Sequence, residues 1–171
     1  MQELSTYIPK EATTQIYNWL NTYNCQIKIT KPRQTKLGDY RCPQNGKGHI
    51  ISINNNLNPY AFLITLTHEI AHMIVWEKYQ NKVLPHGTEW KNMFQKLMLN
   101  FLPIFPQDIL TALAKHLKNP KASSSRDVEL TIALRTYNPH QMITVSDIPI
   151  GSTFSIASGE RFIKLKKLRK R

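Results

Sequence analysis

The sequence predicts an α+β fold, with a three-stranded antiparallel sheet packed on helices and a small C-terminal β-hairpin as an appendage. Three observations predict it. Short strand-like runs cluster between residues 26 and 53, helical apolar spacing dominates from 59 to 117, and strand-like runs return after residue 152. At 171 residues and 41% hydrophobic content, the chain is long enough for one ordinary core plus a small addition.

Taken in order, Pro9 opens a first helix to about Thr22, where Ile16, Trp19, Leu20 and Tyr23 recur at helical spacing. Three strands follow at Gln26–Thr30, Lys36–Arg41 and His49–Ile53. They are separated by Lys31-Pro32-Arg33 and by Pro43-Gln44-Asn45-Gly46-Lys47-Gly48, both turn chemistry. Asn58 followed by Pro59 reads as a cap with proline at the first helical position. The helix it opens runs to about Tyr79 and is apolar on nearly every face, which places it in the middle of the domain. His68, Glu69 and His72 interrupt it, so it is a core helix and not a membrane span.

A further helix is expected from about Glu89 to Asn100, broken by Pro103 and Pro106, and another over Gln107–Leu117. Asn119-Pro120-Lys121-Ala122-Ser123-Ser124-Ser125 has linker composition. This divides the chain into a domain at 1–119, a linker at 120–126 and a basic appendage at 127–171. In the appendage Asp127 caps a short helix to about Tyr137, and Ser152–Ile156 pairs with Arg161–Leu168 across Ala157-Ser158-Gly159-Glu160.

The formal net charge is +12, with an excess at the end, Lys164-Leu165-Lys166-Lys167-Leu168-Arg169-Lys170-Arg171. Such a distribution suits a polyanion, because neutralised phosphates release counterions, and nucleic acid is the expected partner. The start of the chain carries no basic-then-apolar leader, and Cys25 and Cys42 form no CxxC pair. The expected setting is therefore a reducing cytoplasm, on the nucleoid if DNA is bound, with no membrane partner.

His68-Glu69-Ile70-Ala71-His72 is an HExxH. On a helix, residues four apart share a face, so both imidazoles can reach one metal ion, while Glu69 can contact the ion's water without becoming a ligand. Two histidines and a glutamate in so apolar a helix are costly to bury without partners. A catalytic zinc takes three protein ligands, and Glu77, His86 and Glu89 are the candidates for the third. His86 is favoured, since Gly87 permits close backbone approach and the loop Asn81–Pro85 can bring the next helix back. One catalytic Zn²⁺ held by His68, His72 and His86, with Glu69 as general base, is the resulting expectation.

Thr67-His68-Glu69-Ile70-Ala71-His72, followed after a short loop by His86-Gly87-Thr88-Glu89-Trp90-Lys91, resembles the SprT-like domain, the group that includes the Spartan proteases. Leu37-Gly38-Asp39-Tyr40-Arg41 is similar to the stretch upstream of that family's motif helix. The resemblance covers roughly residues 5–118. It implies a zincin-like minimal metallopeptidase fold, the same three zinc ligands, Glu69 as base, and protein substrates held on DNA, including DNA–protein crosslinks. Many members add a cysteine-built zinc ribbon. This chain has no cysteine after Cys42, so its C-terminal hairpin is expected either to be a degenerate, metal-free counterpart or to have the relevant cysteines beyond Arg171.

The first functional expectation is thus a zinc metallopeptidase. Tyr40, Arg41 and His49 are unranked candidates for stabilising the oxyanion, and the His49–Ile53 strand is a candidate edge for an extended substrate. The competing expectation is a non-proteolytic module, associated with nucleic acid or transcription, that keeps the metal site. Glu69 weighs against it, because a purely structural site needs no base. A deaminase is disfavoured, since the cysteine pair of such sites is missing. Trp19, Trp76 and Trp90 are expected in the core, each falling on an apolar helix face.

Overall fold

The computed structural model describes residues 4–44, 46–122, 127–139, 145, 147–156 and 158–166. The chain forms two compact units, Met1–Pro139 and His140–Arg171. In the first, short 3₁₀ turns lead into α1 (Thr13–Thr22), then β1 (Cys25–Thr30), β2 (Gly38–Arg41) and β3 (His49–Asn54). The long α2 (Pro59–Tyr79) follows, then α3 (Thr88–Met98), α4 (Gln107–Lys118) and α5 (Val128–Arg135).

The fold is α+β as expected, but the sheet is mixed and not antiparallel. Its order is β1-β3-β2, with β1 parallel to β3 (Cys25 opposite His49) and β2 antiparallel to it (Tyr40 opposite Ile51). The physical reason lies in residues 31–37. A loop of that length can step past one strand, a lateral move of roughly 10 Å at about 4.8 Å per strand spacing. It is pinned there by Arg33, which donates to Asn54 Oδ1 at 2.8 Å, Ser52 Oγ at 3.0 Å and the Ser52 carbonyl at 3.2 Å. Asn54 Nδ2 donates back to the Arg33 and Lys36 carbonyls. The excursion through β2 is itself the crossover that lets β1 and β3 run parallel. β3 is therefore central, with both edges paired, and the expectation that it offers an edge to substrate is overturned. The edge is β2.

α2 packs on α3, β2 and β3. It starts where the sequence indicated: Asn58 Oδ1 accepts from the Ala61 N–H at 3.0 Å, with Pro59 in the first turn. Phe62, Leu63, Leu66, Ile70 and Met73 are fully buried around its circumference, against Ile16 of α1, Ile51 and Ile53 of β3, Trp90 and Phe94 of α3, and Leu113 of α4. Burying a large apolar side chain is worth roughly 1.5–3 kcal/mol, so this helix is the main structural member.

α5 belongs to the first unit. Leu130 and Leu134 are buried, Asp127 caps the helix by accepting from the Leu130 N–H, and His116 Nδ1 lies 3.1 Å from Asp127 Oδ2. Asn58 Nδ2 donates to the Leu134 carbonyl at 2.8 Å and to Asn138 Oδ1 at 2.7 Å, tying the end of α5 to the cap of α2. The Ser123–Ser125 part of the linker-like stretch lies outside the described residues.

In the second unit, β4 (Thr153–Ser155) pairs antiparallel with β5 (Arg161–Ile163), and Phe154 stacks on Phe162 with ring centroids 5.7 Å apart. Gly159, at φ +89, takes a turn conformation open to glycine. Ala157 and the basic end from Lys167 onward lie outside the described residues. Among the described residues no helix is long and apolar enough to cross a membrane.

Candidate metal centre and its cleft

His68 and His72 stand one turn apart on α2, and the chain returns to them through a 3₁₀ turn at Gln80–Lys82 and the loop ending at Gly87. That loop delivers His86. The three Nε2 atoms lie 3.2 Å (His68–His72), 3.0 Å (His72–His86) and 3.2 Å (His86–His68) apart. These contacts are not a hydrogen-bond network. A neutral imidazole has one role at each nitrogen, donor or acceptor, and three mutually adjacent nitrogens cannot all be satisfied by one another. A shared electrophile satisfies all three at once, and these residues form a group that could hold a metal ion.

Burial holds the imidazoles in the neutral, metal-ligating form. It lowers His68 to about 2, with neighbouring His72, His86 and His116 adding to the effect, and His72 to about 3, with His86 adding. His86 is lowered by burial as well.

Trp90 forms the floor beneath them. Its ring centroid is 4.5 Å from His68, 5.3 Å from His72 and 4.7 Å from His86, and it stacks nearly parallel on Phe94. Its Nε1 donates to the His68 carbonyl at 3.3 Å. The residue is fully buried, as the sequence suggested, and that core position is also what fixes the imidazole rings. Gly87 gives the returning loop close clearance: a Cβ there would stand 3.1 Å from the Leu84 carbonyl oxygen and 3.3 Å from Glu89 Oε2, so the neighbours would have to give by a few tenths of an ångström.

The metal group opens into a cleft of about 420 Å³, lined also by Glu69, Gly38–Tyr40, Trp76 and the loop from Val83 to Pro85. Glu69 is buried, with its carboxylate against Gly38 of β2. Burial pushes its carboxyl up to about 8, the nearby Asp39 carboxylate pushes the same way, and Arg33, Lys36 and the Tyr40 backbone N–H oppose them.

The other sequence candidates separate cleanly. Glu77 faces away from the metal group and takes a hydrogen bond from His49 Nε2 at 2.8 Å. Glu89 stands outside the group, beside Gly87. Arg41 is exposed and ion-paired with Asp39 at 3.1 Å. His49 is buried with both ring nitrogens engaged, Nδ1 by Tyr40 at 2.9 Å, so it has no free donor for a substrate. Of the three oxyanion candidates only Tyr40 lines the cleft. Sequence reasoning missed the charged frame around Glu69, namely Asp39, Arg33 and Lys36. It also missed His116 behind His68, as these residues are distant along the chain.

Among known proteins, a family model described as the SprT-like family matches residues 7–109, which takes in the sheet, α2 and α3 and with them every residue of the metal group. No curated protein and no solved structure matches the chain.

Proposed function

Because the chain belongs to the SprT-like family, we propose that it is a zinc-dependent metallopeptidase acting on DNA-associated proteins, DNA–protein crosslinks among them, with Glu69 as general base. The observation that carries this reading is the convergence of three neutral imidazoles in a cleft they share with a buried carboxyl.

The donor set suits zinc. Tetrahedral zinc with Zn–N of about 2.0–2.1 Å requires nitrogens about 3.3 Å apart, close to the separations here. His68, His72 and His86 would hold the ion at the cleft they line. When bound, zinc supplies a Lewis acid for the peptide carbonyl and acidifies the attacking water.

The chain's own residues supply the rest. Glu69 accepts the proton of the attacking water and passes it to the leaving amine. β2 supports the placing of an extended peptide along its unpaired edge, directly beside Glu69. Backbone pairing of that kind favours broad sequence tolerance. Nucleic acid would recruit the substrate through the basic excess of the chain.

The test uses the purified chain, with metal content and cleavage of a DNA-bound protein measured with and without DNA. Wild type should bind one zinc and cleave. Glu69→Gln should keep the zinc and lose cleavage, by roughly a thousandfold or more given the base's role in both proton transfers. Undiminished cleavage by Glu69→Gln refutes the mechanism. A zinc-loaded wild type that binds DNA and cleaves nothing supports a non-proteolytic module instead.

A further inference from the structure

A polar chain runs from the cleft towards the surface between the sheet and α2. Tyr40 Oη lies 2.9 Å from His49 Nδ1, and His49 Nε2 lies 2.8 Å from Glu77 Oε1. His49 is only 4% exposed, and the Trp76 ring packs edge-on against it with centroids 5.6 Å apart. Glu77, by contrast, is exposed, and Tyr40 is half-buried where it lines the cleft.

Direction follows from the inventory of donors. A carboxylate only accepts, so in the neutral ring Nε2 carries the hydrogen towards Glu77 and Nδ1 is left as an acceptor. The Tyr40 hydroxyl must then donate to His49. Its single proton is committed inward, and its oxygen keeps lone pairs for a partner on the other side. His49 is the buried member, and a buried polar ring is costly unless both nitrogens are satisfied, which favours keeping its two hydrogen bonds.

We propose that Tyr40 is a substrate-binding residue whose hydroxyl, oriented by His49 and Glu77, accepts a hydrogen bond from a donor group of the peptide in the cleft. His49 and Glu77 are positioning residues acting through it. The inference rests on the peptidase reading above and adds a residue to it. β2 places this acceptor two residues beyond Gly38, the residue packed against Glu69, and Trp76 stands one turn beyond His72 on α2. A peptide reaching the metal group along β2 therefore passes Tyr40. The hydroxyl selects for a donor at that point of the substrate and does not stabilise the oxyanion, since it has no proton to give.

The test measures binding and cleavage separately. Binding of a fluorescent casein peptide is followed by anisotropy on zinc-loaded protein in the Glu69→Gln background, and cleavage of the same peptide in the Glu69 background. Tyr40→Phe should weaken binding roughly tenfold, the scale of one hydrogen bond, and raise KM to match, with kcat altered less than about twofold. Glu77→Ala should move KM in the same direction by less, and Glu77→Gln, whose amide oxygen still accepts from Nε2, should restore it. Nitrogen-15 shifts of His49 should report a protonated Nε2 and a bare Nδ1. Equal peptide affinity for Tyr40→Phe and its parent overturns the proposal, as does a protonated Nδ1, which would turn the hydroxyl's proton towards the cleft. A wild type that binds the peptide without cutting it sinks the peptidase reading alone, and the binding arm still decides the role of Tyr40. A wild type that binds no peptide overturns both.

Discussion

A Cβ placed on Gly38 would stand 2.7 Å from Glu69 Oε1 and 2.9 Å from Glu69 Cγ, with Thr65 Cγ2 at 2.8 Å. The edge strand and the candidate base are in contact with no room for a single methyl group. The position of Glu69 is thus set from β2 as much as from α2.

Gly38→Ala is expected to displace the Glu69 side chain and leave the imidazoles alone. Cleavage should fall on the order of ten- to a hundredfold, as for a catalytic group moved by about an ångström, with zinc stoichiometry unchanged. Metal analysis beside a cleavage assay checks it, and full activity in this variant would refute the contact.

Metal removal should lower the melting temperature. An ion held a thousandfold above its dissociation constant stabilises by about 4 kcal/mol, which for a domain of this size corresponds to a shift on the order of ten degrees. Thermal unfolding with and without a chelator measures this shift. His86→Ala should bind less than one equivalent of zinc and show little response to the chelator; a full response would move the third ligand elsewhere.

Asn58→Ala should destabilise the first unit by about 2–4 kcal/mol. It removes a cap and leaves the buried Leu134 carbonyl without the amide that serves it. Urea unfolding at fixed zinc concentration reads the difference, and a loss under about 0.5 kcal/mol would show that water replaces the amide.

Burial pushes the Cys25 thiol up to about 12, against a smaller opposing effect of the Ile51 backbone. The folded chain therefore keeps a proton that the unfolded chain loses. The contribution to stability is fully present below 9.0 and is lost as pH rises from there towards about 12. Urea midpoints should fall across that window and fall less in Cys25→Val. At pH 8, iodoacetamide should modify Cys25 at least tenfold more slowly in the folded than in the unfolded chain.

The convergence of the three histidines that could hold a metal ion was legible because its parts are local. His68 and His72 are four apart on a helix whose start is written in Asn58-Pro59, and His86 is one loop away beside a glycine. The mixed sheet was not legible. Strand runs and turn residues are equally compatible with an antiparallel meander, and the choice is made by Arg33 and Asn54, two polar side chains that meet only once the loop has crossed. The ranking of Tyr40, Arg41 and His49 was hidden for the same reason. It depends on Glu77, which sits 28 residues from His49 and enters in sequence only as a candidate metal ligand, not as a partner of the strand. The packing of α5 on α4 was likewise obscured by a serine-rich stretch, whose composition describes the connection and says nothing about where the next helix docks.

A strand edge left unpaired in its sheet is also an invitation to other unpaired strands, and β2 answers that hazard in its own composition. It is only four residues long, and Asp39 within it is flanked by Lys36 and Arg41, paired at 2.7 and 3.1 Å. Two copies of such an edge brought together would have to bury charges against one another, which disfavours sheet-to-sheet aggregation. A flexible unfolded segment can adapt around those charges where a preformed strand cannot. The same four residues that would admit a substrate thus act as a filter against self-assembly, and neutralising Asp39 and Arg41 together would be expected to trade solubility for a stickier edge.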